Sequence, residues 1–167
     1  MLAILTSGSL AQYVTYGTSK NVITSGNVNA VLHNRAGDQT AAGSEVRCLP
    51  GEKVDRVVTV ENAGNQSFYV RIEVKKYVKD SDLSAENCLN LDLNDKDWIY
   101  RDGYYYYKEA LKPGETTQPL FTEVEIDGPN VNNDYMGKTL MLDVSAYAVQ
   151  SENNGETVWD AIGWPKS

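Results

Sequence analysis

Few residues in this chain are equipped for chemistry. Its 167 residues include one histidine, His33, and two cysteines, Cys48 and Cys88. A protease-type zinc site needs two histidines one helical turn apart with a glutamate between them, and other zinc sites need three or four nitrogen or sulfur ligands. His33 is followed by Asn34 and Arg35 at the end of an alternating stretch. An imidazole in such a place is ordinarily exposed or hydrogen-bonded rather than a metal ligand. A serine nucleophile of the elbow type would require Gly-x-Ser-x-Gly, which the sequence lacks. The carboxylates Asp80, Asp82, Asp92, Asp95 and Asp97 could suit acid–base work or weak calcium binding, yet they lack the spacing and closing glutamate of an EF-hand loop. The sequence therefore reads as that of a non-enzyme, with no catalytic residue, cofactor or metal site assigned.

Binding chemistry is better represented. Trp98, Tyr100 and the run Tyr104, Tyr105, Tyr106 and Tyr107 combine apolar ring faces with polar tips, which suits stacking on a sugar or on another protein surface. Four consecutive tyrosines on one strand must place two side chains on each face. Half can then belong to the core and half to the outer surface. Cys48 and Cys88 allow two outcomes. In an oxidising compartment they could form a disulfide closing a loop of about 40 residues, worth roughly 4 kcal/mol on the chain-entropy model. As unpaired thiols they would behave as small buried apolar side chains.

The elements that position these residues are strands. In Phe68–Val74, Phe68, Val70, Ile72 and Val74 alternate with Tyr69, Arg71 and Glu73, the pattern of a half-buried antiparallel strand. Leu140, Leu142, Val144, Ala146 and Ala148 alternate likewise over a stretch long enough for a central strand. Val54, Val58 and Val60 mark another strand, and the turn residues Asn62, Gly64 and Asn65 predict a hairpin into Phe68. Lys112-Pro-Gly-Glu115 predicts a second hairpin, between strands over 104–111 and 120–126. Residues 22–32 alternate loosely, with Gly26 as a bend. A short strand is expected over 88–93, a helical turn near 84–87 and a short helix over 157–162. Many short strands with turns every 8–12 residues indicate an all-β fold: an antiparallel sandwich of jelly-roll type with one or two short helices.

Length and a hydrophobic content of 41% fit a single domain. The 15 Lys and Arg against 23 Asp and Glu give a net charge of −8, which argues against nucleic acid as a partner. The densest basic stretch, Lys75, Lys76 and Lys79, is interrupted by Tyr77 and Val78 and followed by Asp80 and Asp82. No run reaches the roughly 18 apolar residues of a membrane span. Residues 1–11 resemble the end of a secretory signal, a short apolar stretch closing on Ser9 and Ala11. The expected domain is then 12–167, with an N-terminal strand or arm over about 12–20 and an extracellular location.

Several blocks in order carry a family resemblance: Asn21-Val-Ile-Thr-Ser-Gly-Asn-Val-Asn29, Pro50-Gly-Glu-Lys-Val54, and Val60-Glu-Asn-Ala-Gly-Asn-Gln-Ser-Phe-Tyr-Val-Arg71. Others are Asp97-Trp-Ile-Tyr-Arg-Asp-Gly-Tyr-Tyr-Tyr-Tyr-Lys108, Leu111-Lys-Pro-Gly-Glu-Thr-Thr117 with Pro119-Leu-Phe-Thr122, and Ala146-Tyr-Ala-Val-Gln150. Taken together, the chain resembles the TasA/camelysin family of exported Gram-positive proteins, especially its BsaA-like biofilm-matrix branch, processed by the SipW-type signal peptidase. The resemblance implies secretion, a jelly-roll sandwich and self-association into matrix fibres, alone or with an accessory matrix protein. The N-terminal segment of one subunit would complete a neighbour's sheet by β-strand addition. That donor would be about 12–18: Gln12, then Tyr13 and Thr15 facing one way and Val14 and Tyr16 the other. The alternative is a monomeric surface adhesion module using Trp98 and exposed rings of the tyrosine run. Camelysin relatives also carry a metallopeptidase label, for which this chain lacks the histidine pair.

Overall fold

The computed structural model describes residues 13–25, 27–35 and 45–166. The signal-like segment 1–11, Gln12 and the expected bend at Gly26 lie outside them. Nearly all of the regular structure is strand, arranged as two packed layers.

The larger layer has six strands. In sheet order they are β3 (Val46–Cys48), β1 (Val14–Thr24), β11 (Thr139–Gln150), β6 (Phe68–Val78), β9 (Tyr104–Tyr107) and β8 (Trp98–Arg101). The expected central strand is β11. It runs antiparallel to β6 from Leu140↔Val78 to Gln150↔Phe68, and parallel to β1 from Thr15↔Thr139 to Thr24↔Ala148. The second layer holds β2 (Ala30–Arg35) beside β5 (Val57–Asn62), and β4 (Lys53–Asp55), β10 (Glu123–Ile126) and β7 (Leu89–Leu91) in the order β4-β10-β7. Backbone bonds join these two groups: Arg56 N–H to Thr122 O (2.9 Å), Leu120 N–H to Val58 O (2.9 Å) and Thr117 N–H to Val60 O (2.8 Å).

Period-two alternation explains which faces meet. Leu140, Leu142, Val144, Ala146 and Ala148 of β11 and Phe68, Val70 and Ile72 of β6 point inward onto Leu32, Val58, Val60, Leu89, Val124 and Ile126. Each fully buried aliphatic or aromatic side chain in such a core contributes about 1.5–3 kcal/mol.

Two expected hairpins are corrected. The turn after Asn62 does not pair β5 with β6, because β5 lies in the second layer beside β2 and β6 in the first beside β11. Similarly, the Lys112–Glu115 turn forms, with Glu115 N–H on Lys112 O (3.0 Å). It leads from β9 across to β10, which pairs with β4 and β7 rather than with β9. Alternation tells which side chains point inward but not to which layer a strand belongs.

The expected helix over 157–162 is a single turn, in which Asp160 N–H reaches Thr157 O (3.1 Å) and Thr157 Oγ1 donates to Asp160 Oδ2 (2.8 Å). Residues 84–87 likewise make only a turn, closed by Cys88 N–H on Ala85 O (3.0 Å). The helical piece among the described residues is one 3₁₀ turn, Asn133–Tyr135.

Candidate functional site

Two regions of the large sheet bring together the residues singled out from sequence, and they lie at its opposite ends. At the β3 end, β1 fills a slot between the twelve-residue β11 and the three-residue β3. Val14, Tyr16 and Thr18 point into the core and are buried, while Tyr13 is 38% exposed and Thr15 half-buried. The alternation expected over 13–16 is therefore present, in a strand paired within its own chain. A Cβ at Gly17 would come within 2.7 Å of Met141 Sδ, so a larger residue there would require that flexible side chain to move aside.

Beneath β1 the core contains an unexpected cation. Arg56, at the break between β4 and β5, is 2% exposed. Its Cζ lies 5.5 Å from the Tyr16 ring centroid and its Nη1 reaches Asp55 O at 3.5 Å. Arg56 Nε and the Tyr16 hydroxyl both lack hydrogen-bond partners. Burial pushes the Tyr16 phenol above its ordinary value, against the opposing pull of Arg56 and Thr18.

At the other end, β8 and β9 form a hairpin whose turn, Asp102-Gly103, has φ of 51° and 90°. Positive φ at both central residues is the tight-turn geometry that matches strand twist. The tyrosine run divides as alternation requires. Trp98, Tyr105 and Tyr107 belong to the core side, with Trp98 and Tyr107 4.9 Å apart. Trp98 is buried, its indole N–H donating to Gln118 O (3.0 Å). Tyr100, 62% exposed, stacks on Tyr105 at 4.8 Å.

Tyr104 and Tyr106 face outward, over Arg71 of β6. The Arg71 Cζ is 3.8 Å from the Tyr104 ring, 4.7 Å from Trp164, 5.7 Å from Tyr147 and 5.8 Å from Tyr106. Its Nη1 donates to the Tyr106 hydroxyl (2.9 Å) and Nη2 to Pro165 O (3.5 Å). This cluster fastens the segment 151–166 to the outer face of the sheet, where Val158 and Ala161 pack with Tyr69 and Val149. Asn154 closes the segment on itself through Ile162, donating to its carbonyl (2.9 Å) and accepting from its N–H (2.9 Å).

Of the remaining candidates, His33, Asp92 and Asp97 have structural partners. His33 Nε2 meets Glu61 Oε2 at 2.7 Å, and Arg35 Nη2 donates to His33 Nδ1 at 3.2 Å. Asp92 is partly desolvated, which raises its pKa. The Thr122 hydroxyl and the N–H groups of Thr122 and Glu123 outweigh this and hold the carboxyl below its ordinary value. Asp97 accepts from Asn94 Nδ2 (2.9 Å). Among the described residues no group of three His, Cys, Asp or Glu side chains is placed to hold a metal ion, and no helix is long and apolar enough to cross a membrane. Cys48 and Cys88 are buried free thiols. Cys48 Sγ points to Val46 O (3.7 Å) and Cys88 Sγ to Ser84 O (3.6 Å), and burial raises both pKa values.

Sequence reasoning missed Arg56, Arg71, Trp159 and Trp164. The signal for Arg56 was a charged residue set inside an otherwise valine-alternating stretch. Arg71, Trp159 and Trp164 become neighbours only through the fold. No model of a known protein family matches the chain, and a search of curated proteins returned no match.

Proposed function

We propose that this protein is a secreted, non-catalytic subunit of an extracellular matrix fibre, built by β-strand addition of its N-terminal segment, as the resemblance to the TasA/camelysin family implies. The observation that carries the reading is the setting of β1. It is the first described strand of the chain and fills a slot lined by strands far from it in sequence, β11 on one side and β3 on the other. The same strand delivered by a second copy would make the same ladder and bury the same Val14, Tyr16 and Thr18, the exchange that converts a monomer into a chain of subunits. Head-to-tail exchange gives an open filament wherever the rotation between successive subunits does not close a ring.

The test compares protein beginning at Gln12 with protein beginning at Asn21 by light scattering and electron microscopy over rising concentration. A synthetic peptide of residues 13–24 is added in a third arm. Filaments from the first protein, none from the second, and fewer when the peptide competes for the slot are expected. Monomers from the first protein across the whole range overturn the reading. The exposed ring of Tyr100 would then favour a monomeric surface-binding module.

A further inference from the structure

We propose that Ile162 of one copy of this chain docks as an apolar knob into the hollow between Leu93 and the Tyr100–Tyr105 pair of a second copy. The contact is separate from β1 and does not depend on strand addition.

The segment 151–166 builds the knob. The faces of its two tryptophans are already taken: Trp159 lies against Tyr106 (4.9 Å) and under Arg101 (5.3 Å), and Trp164 against Tyr106 (5.8 Å) and under Arg71 (4.7 Å). Ile162 is left free. It is 76% exposed and joins neither buried cluster. Its backbone is nonetheless fixed, with its N–H donating to Asn154 Oδ1 and its C=O accepting from Asn154 Nδ2, each at 2.9 Å. Gly163, with φ of 79°, turns the chain immediately afterwards. Single exposed aliphatic residues are ordinary on protein surfaces. This one is distinguished by a backbone fixed in advance, which lowers the ordering cost of docking, and by a matching hollow elsewhere on the chain.

That hollow measures about 360 Å³ and has mostly apolar walls, Leu93, Trp98, Tyr100 and Tyr105, beside Asn94 and Asp95. Trp98 is buried, whereas Leu93 and Tyr100 are 41% and 62% exposed. A branched aliphatic side chain can enter between the leucine and the tyrosine rings without leaving a polar group unpaired. Tyr100 and Tyr105 stack on one face of the β8–β9 hairpin and the segment 151–166 packs on Tyr106, on the other. A copy therefore cannot fill its own hollow, and the occupant comes from a second copy. The whole chain carries a net charge of −8, which keeps copies apart in general. These two patches are locally balanced, since Lys96 follows Asp95 while Asp160 and Lys166 flank Ile162. Neither Asp95 nor Lys166 has an ion-pair partner among the described residues, which leaves them free to attract one another across the contact. Knob and hollow are different patches, so the contact is heterologous and propagates from copy to copy unless the rotation closes a ring. A contact centred on one side chain falls below the roughly 1,200 Å² of a stable interface, so free copies should associate with a dissociation constant of about 1 mM.

The test uses two full-chain variants at exposed positions. Isotopically labelled Ile162→Ser protein keeps the hollow and lacks the knob, while unlabelled Leu93→Ser protein keeps the knob and has a damaged hollow. Titrating the second into the first should move the Leu93, Tyr100 and Tyr105 amide signals in NMR spectra saturably, at about 1 mM. Unlabelled Ile162→Ser protein, added instead, should move them at least about tenfold less at equal concentration. Unmoved signals at about 3 mM Leu93→Ser protein, or equal shifts from both titrants, overturn the proposal. Strand exchange through β1 is open to both titrants alike and acts on β1 signals, so its success or failure is read separately from that of this contact.

Discussion

Two arginines stand against tyrosines on opposite faces of the same sheet, and the structure treats them differently. Arg71, on the outer face, lies within 6 Å of four aromatic rings and donates to the Tyr106 hydroxyl and the Pro165 carbonyl. Arg56, in the core, has one ring at 5.5 Å and one marginal bond to its neighbour's carbonyl. No carboxylate among the described residues pairs with it. A half-buried guanidinium keeps some solvation while gaining attraction to each ring face. A fully buried one loses its hydration, and a single distant ring offsets little of that loss. Arg71 therefore acts as a clamp. Arg56 is a stability cost placed beneath β1, and withdrawal of β1 would let water reach it.

The largest effect that would break this contrast is on the clamp. Arg71→Ala removes two hydrogen bonds and the ring contacts, and should cost about 2–3 kcal/mol in chemical denaturation. Amide exchange should rise first in residues 151–166, which Arg71 helps to hold. An equal loss of protection throughout the chain would mean that Arg71 supports the core instead.

Arg56→Met should act in the opposite direction. Replacing a buried, poorly compensated charge by an apolar side chain of similar length is often neutral or stabilising by about 1–4 kcal/mol. An increase of about 1–2 kcal/mol is expected here, because Arg56 has no ion-pair partner to lose. On the strand-addition reading the same variant should also form filaments more slowly, since β1 then leaves a more stable seat. A loss of more than about 2 kcal/mol would show that Arg56 has polar compensation in solution and is no burden.

The contrast also marks what could be read from sequence. Alternation located β6 and β11, the division of residues 13–16 between two faces, and that of Tyr104–Tyr107, because each depends only on neighbours along one strand. Layer membership was not legible, so the turns after Asn62 and Leu111 were read as hairpins although each carries the chain from one layer to the other. The parallel β1–β11 pairing was hidden for a related reason. It joins the first described strand to the last, which no local pattern records. Arg71 lies 35 residues from Tyr106 and 94 from Pro165, so the cage exists only once β6, β9 and the segment 151–166 have met.

The smallest expected effect separates the two tyrosines that face these arginines. The Tyr147 hydroxyl donates to Glu73 Oε1 (3.3 Å), so Tyr147→Phe should cost about 0.5–1.5 kcal/mol at neutral pH. The Tyr16 hydroxyl makes no well-formed hydrogen bond and has only the nearby Thr18 and Arg56 side chains acting on it, so Tyr16→Phe should be neutral or stabilising by up to about 1 kcal/mol. Alkaline pH should widen that difference from the parent. Burial holds the folded Tyr16 phenol above the ordinary value of 10.0 at which the unfolded chain ionises. Its contribution to stability is therefore complete below pH 10.0 and is lost as pH rises from there through the folded pKa. Phenylalanine has no proton to lose, so the advantage of Tyr16→Phe should be larger at about pH 11 than at about pH 8 when unfolding midpoints are compared. The other buried tyrosines are common to both proteins and cancel. An advantage that does not grow with pH would place the Tyr16 hydroxyl in contact with solvent, and Arg56 with it.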